Sequence, residues 1–183
     1  MIILITGATH TGKTLLAQKL LEQMHFPYLS IDHLKMGLIR SGKTDLTPLD
    51  EEQLTPYLWP IVREIIKTAI ENKQNLIVEG CYVPFDWQKD FSEKYLSSIR
   101  FICLAMTEKY LDVHFDEIIK NGSVIENRLD DSYCNKADLI RDNRFYIEGC
   151  RKHNLPLILI AENYEKSIKE LLAGVLRIKR GDD

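Results

Sequence analysis

The sequence predicts an α/β fold in three layers, a parallel sheet with helices on both faces. Three observations lead there. Short apolar runs alternate with segments of helical period from one end of the chain to the other. The first run is apolar and β-branched at nearly every position, as a strand buried on both faces requires. No internal repeat, low-complexity tract or linker interrupts the pattern, so residues 1–183 read as one domain.

The elements follow in order. Ile2-Ile3-Leu4-Ile5-Thr6 forms the first strand and stops at Gly7. From Lys13 the period changes: Leu16, Leu20 and Met24 recur every four residues, giving an amphipathic helix over 13–24. After Pro27, residues 28–31 form a second strand ending at Asp32, and a helix over 33–40 stops near Ser41-Gly42. Beyond the polar stretch 43–48, a long helix carries Leu54, Leu58, Ile61, Ile65 and Ile66 to about Asn72. Pro56 and Pro60 each remove a backbone donor inside it, so its first half is expected to be kinked or divided.

Residues 75–78 form the third strand, ending at Glu79-Gly80. A loop with Pro84 leads to a short helix over 87–95, then a fourth strand over 99–106. A helix over 108–120 ends at Asn121-Gly122. The polar stretch 123–135 has no period. A helix over 137–153, a fifth strand over 155–161 and a last helix over 164–176 complete the chain.

Composition excludes several classes. A net charge of −3 leaves no broad basic surface, so nucleic acid is not the expected partner. Arg177, Lys179 and Arg180 make a short cluster that reads as a solvated helix end. Cys81, Cys103, Cys134 and Cys150 contain no C-x-x-C pair, which argues against a zinc site and a disulfide framework. Cys103, inside an apolar run, reads as a buried thiol. No basic leader and no apolar stretch of membrane-spanning length is present, so a cytoplasmic protein is expected.

One motif carries chemistry. Gly7-Ala8-Thr9-His10-Thr11-Gly12-Lys13-Thr14 matches G-x-x-x-x-G-K-[ST], between a predicted strand and a predicted helix. The glycines allow a backbone that turns successive N–H groups inward as an anion nest. The helix start adds its dipole and its unpaired N–H groups. Lys13 supplies a cation for the β- and γ-phosphates, and the Thr14 hydroxyl a ligand for Mg2+. The nucleotide-binding set is therefore Gly7, Ala8, Thr9, His10, Thr11, Gly12, Lys13, Thr14 and Leu15. Asn135-Lys136-Ala137-Asp138 matches the guanine-reading N-K-x-D string, but no buried strand precedes it and no D-x-x-G switch accompanies it. A GTPase is not expected.

The layout of strands around a leading P-loop resembles the nucleoside-monophosphate-kinase-like branch of P-loop kinases. Adenylate, shikimate and gluconate kinases, chloramphenicol phosphotransferase and zeta-toxin-type kinases belong to that branch. The resemblance implies a P-loop NTPase fold with a five-stranded parallel sheet of order 2-3-1-4-5 and a short lid over about 121–137. It implies ATP and Mg2+ as cofactors and transfer of the γ-phosphoryl group to a small molecule.

It also implies roles for residues outside the loop. Asp32, at the carboxyl end of the second strand, is placed as general base or orienter of an acceptor hydroxyl. The same residue could cap the helix that follows, and both can hold together. Glu79, at the end of the third strand, is placed to orient metal-bound water or to contact the acceptor. Adenylate kinases continue this point as D-G-[FY]-P-R; here Glu79-Gly80-Cys81-Tyr82-Val83-Pro84 lacks the arginine, which weakens that specific activity.

Lid arginines neutralise the charge of the transferring group, and Arg128, Arg144 and Arg141 are the candidates, with surface ion pairs as the competing explanation. Arg40 matches by position an arginine that grips acidic acceptors. Trp59, Tyr57 and Trp87 read as core in preference to pocket. The expected function is a small-molecule kinase using Lys13, Asp32, Arg128 and Arg144 for catalysis. A nucleoside-monophosphate kinase is the nearer alternative, and a nucleotide-binding regulator with little turnover the alternative of another class.

Overall fold

The computed structural model describes residues 1–122 and 135–180, with side chains described to residue 177. The chain runs β1 (Ile2–Gly7), α1 (Lys13–Met24), β2 (Tyr28–Ser30), α2 (Ile31–Arg40), α3 (Glu51–Glu71) and β3 (Leu76–Glu79). A 3-10 turn (Trp87–Asp90), α4 (Glu93–Leu96), β4 (Ile99–Met106), α5 (Glu108–Lys120), α6 (Lys136–Lys152), β5 (Leu157–Ile160) and α7 (Tyr164–Arg180) follow. The sheet is parallel throughout, in the order β2-β3-β1-β4-β5, as expected.

Central β1 explains the three layers. Its residues are buried on both faces, and successive side chains of a strand point to opposite sides. Ile2 and Leu4 join one core with Leu54, Leu58, Val62 and Ile66 of α3 and with Tyr146 and Cys150 of α6. Ile3 and Ile5 join the other, with Leu16 and Leu20 of α1 and Ile168, Leu172 and Val175 of α7. Each fully buried residue of this kind contributes about 1.5–3 kcal/mol.

Three local expectations are corrected. The long helix is not divided: Pro56 and Pro60 lie within one helix from Glu51 to Glu71. Each proline forfeits a single helical bond, while Leu54, Leu58, Trp59, Val62, Ile66 and Ala69 hold the helix to the core. The segment 87–95 splits in two because Phe91 takes an extended conformation, φ −126°. Its buried ring then meets Trp59 and Trp87 edge-on, at 6.2 and 5.9 Å. Ile31 opens α2 and does not extend β2, so Ser30 takes the N-cap position and Asp32 sits in the first helical turn.

The expected lid, and Arg128 with it, lies largely outside the described residues. Among the described residues no helix is long and apolar enough to cross a membrane.

Candidate active site

The phosphate loop leaves β1 at Gly7 and enters α1 at Lys13. Gly7 has φ +137°, and a Cβ there would stand 2.1 Å from the Leu104 carbonyl oxygen of β4. Gly12 has φ +80°, and a Cβ there would stand 1.9 Å from the Tyr164 hydroxyl. His10 is also left-handed, φ +62°, although it has a side chain. This conformation is uncommon outside glycine, and here it turns the middle of the loop.

Hydrogen bonds fix the curl. The Thr11 hydroxyl and the Lys13 ammonium both donate to the Ala8 carbonyl, at 2.7 and 2.8 Å. The Ala8 amide is tied to β4 through the Leu104 carbonyl. Thr11 is fully buried, so its side chain shapes the loop and does not face the site.

Above the loop opens a cavity of about 610 Å³, within the range of small-molecule sites. Of the residues expected to hold nucleotide, Thr9, His10, Gly12, Lys13, Thr14 and Leu15 line it, while Gly7, Ala8 and Thr11 lie beneath. Lys13 is nearly buried. Burial alone would lower its pKa, but the surrounding Cys81, Glu79 and Asp142 outweigh that and hold it above 10.5. It is an ammonium at neutral pH.

Asp32 and Glu79 both line the same cavity. Glu79 is 1% exposed, in register with Ile5 of β1 and Ser30 of β2. Asp32 Oδ1 pairs with the Lys35 ammonium at 2.5 Å, and Lys35 also donates to the Tyr82 hydroxyl at 2.8 Å. Burial works to lower the Lys35 pKa, and the Asp32 carboxylate and Tyr82 more than offset it. Burial also raises the Tyr82 pKa, so the phenol keeps its proton. The sequence reading missed Lys35 and Tyr82. Spacing of three on α2 was the available signal for Lys35.

The cavity is also lined by Met106, Tyr110, Ile118, Asn121, Tyr164 and Glu165. Helix α6 is held there by Asn143, which is 2% exposed. Its Oδ1 accepts from the Met106 amide at 2.6 Å and its Nδ2 donates to the Leu139 carbonyl at 2.8 Å. The adjacent Asp142 accepts from the Thr9 amide at 2.6 Å. Neither residue was expected at the site, because Asp142, flanked by Arg141 and Asn143 with Arg144 beyond, reads as a solvated helix face.

The arginines on α6 do not line the cavity. Arg144 pairs with Glu108 at 3.1 Å and Arg141 with Asp138 at 2.6 Å, both well exposed. Arg40 is exposed at the end of α2 and also stays outside the cavity lining. Trp59 and Trp87 are core residues. The N-K-x-D string is a helix start, where the Asn135 side chain caps the Asp138 amide at 2.9 Å.

No known family profile matches this sequence, and no curated protein is significantly similar to it in sequence. Solved structures do resemble it. A gluconokinase from Sinorhizobium meliloti 1021 is 16% identical with a TM-score of 0.57, the match covering 98% of this chain and 93% of that one. A shikimate kinase from Aquifex aeolicus is 17% identical with a TM-score of 0.52, covering 98% of each chain. A deoxyadenosine kinase from M. mycoides is 13% identical with a TM-score of 0.57, covering 99% of this chain and all of that one (100%). At these identities the likeness is one of fold. The chain has the fold of P-loop kinases.

Proposed function

We propose that this chain is a kinase that moves the γ-phosphoryl group of ATP, with Mg2+, to a hydroxyl of a small molecule. The observation that carries the reading is that one cavity is lined both by the phosphate loop with its buried Lys13 and by Asp32. The fold shared with kinases named for gluconate, shikimate and deoxyadenosine supports it.

The donor set suits a hard cation. The Thr14 hydroxyl and the Glu79 carboxylate both line the cavity, and Mg2+ typically takes one or two protein oxygens and completes its shell with phosphate and water. When bound, Mg2+ would neutralise charge on the phosphate oxygens.

The chain's own residues supply the rest. Lys13 and the loop amides hold the phosphates. Asp32 Oδ1 is engaged by Lys35, which orients the carboxylate that takes the hydroxyl proton. Arg128, outside the described residues, keeps the role that the resemblance to P-loop kinases implies, while Arg141 and Arg144 are engaged in surface pairs.

A coupled ADP-release screen over sugars, small hydroxy acids and nucleoside monophosphates tests the reading with wild type and Asp32→Asn. Acceptor-dependent ADP release that collapses in the variant, with ATP affinity within about three-fold, is expected for removal of a general base worth 10²–10⁴-fold. Normal turnover in the variant removes Asp32 as the base. No acceptor-dependent turnover with any compound class, despite ATP binding, favours a regulator.

A further inference from the structure

The contact between Asp142 and the phosphate loop is not used by that mechanism. Thr9 lines the cavity, and its backbone amide is bonded to a carboxylate from α6 at 2.6 Å. Loop amides of this kind hold anions, and a carboxylate on such an N–H makes a charge-assisted bond. Asp142 therefore acts toward the loop as an anion supplied by the chain itself.

The carboxylate is held there by built structure. The neighbouring Asn143 is buried and ties α6 to the Met106 amide at the end of β4. Leu139 and Tyr146 are buried on the same helix, and the Tyr146 hydroxyl donates to the Cys81 carbonyl at 2.8 Å. Lys13 lies in the field of the Asp142 charge, which helps keep the ammonium protonated. The Thr9 amide thus serves a resident carboxylate whose field also reaches Lys13, and both are groups to which the nucleotide reading assigns phosphate.

We propose that Asp142 sets the discrimination of this site between nucleoside triphosphate and diphosphate, by holding the Thr9 amide unless a γ-phosphate competes for it. The inference rests on the nucleotide reading given above. Two anions cannot share one N–H and one nearby ammonium without mutual repulsion, which is strong where water is partly excluded. Repulsion falls most heavily on the ligand with the outermost phosphate. Asp142 thereby lowers triphosphate affinity relative to diphosphate affinity, and it recaptures the amide when the γ-phosphoryl group has left.

The test compares a non-hydrolysable ATP analogue with ADP, both with Mg2+, by calorimetry on wild type, Asp142→Asn and Asp142→Ala. Asparagine keeps a side-chain acceptor for Thr9 and removes the charge; alanine removes both. In each variant the triphosphate affinity is expected to rise about ten-fold or more, and the diphosphate affinity less than about three-fold, since like-charge contacts cost the energy of at least one such factor. An unchanged ratio in both variants overturns the inference. Loss of both affinities in the variants also overturns it, making Asp142 a support of loop shape. If wild type itself binds neither nucleotide, the nucleotide reading falls and this inference with it.

Discussion

Replacing Gly12 by alanine tests how the phosphate loop and α7 hold each other. The residue sits at φ +80°, where an L-residue costs about 1–2 kcal/mol, partly offset by about 0.4–1 kcal/mol of lost freedom in the unfolded chain. The new methyl would stand 1.9 Å from the Tyr164 hydroxyl and 2.9 Å from its Cζ. The ring must move out of a place where its hydroxyl is buried, and overpacking of this kind costs about 1–3 kcal/mol. The total comes to about 2–4 kcal/mol. In a Tyr164→Ala background only the backbone part remains, about 1 kcal/mol. Urea unfolding of wild type, both single variants and the double variant should therefore give a coupling energy of about 1–3 kcal/mol. Additivity within about 0.5 kcal/mol would refute the argument, because the two side chains would then not compete for one space.

Two other outcomes follow from the packing and the titrating groups. Asn143→Leu leaves the Met106 amide without its buried acceptor, and should lower unfolding free energy by about 1–3 kcal/mol in the same assay. A loss below about 0.5 kcal/mol would place that amide's partner elsewhere. Burial pushes the Tyr164 pKa from 10.0 up to about 12. A raised folded pKa means stability that is complete below pH 10 and lost as pH rises toward 12, because the folded state binds the proton more tightly. Thermal unfolding of Tyr164→Phe should accordingly fall less steeply than wild type between those values; parallel curves would show that this phenol does not titrate on folding.

Much of the layout was legible in the sequence because periodicity and punctuation agreed. The apolar run from Ile99 to Met106 and the amphipathic stretch from Glu108 to Lys120 are both found where their patterns place them. The loop motif was legible because Gly7 and Gly12 have duties only glycine performs cheaply. Pro56 and Pro60 allowed a division of the helix that does not occur, because their local cost is visible in sequence and the core that outweighs it is not. Lys35 was hidden for a related reason: a lysine beside an aspartate on a helix looks like a surface pair until Tyr82 arrives from a loop 47 residues away. Asp142 was hidden by charges around it, since its partner is a backbone amide 133 residues distant. Spacing along one helix cannot report contacts that the sheet order creates. Arg40, Arg141 and Arg144 show the converse, basic residues of suitable position that the helices turn to solvent.

The proposed kinase activity requires the main chain between Gly7 and Thr14 to act as a receptor for phosphate. Calorimetric titration of Mg2+-ATP into wild type and Lys13→Ala measures this directly. Saturable binding in the wild type, weakened about ten-fold or more in the variant by loss of a charge-assisted contact, is the predicted result. A wild-type protein that takes up no triphosphate, or a variant that binds it equally well, would contradict it.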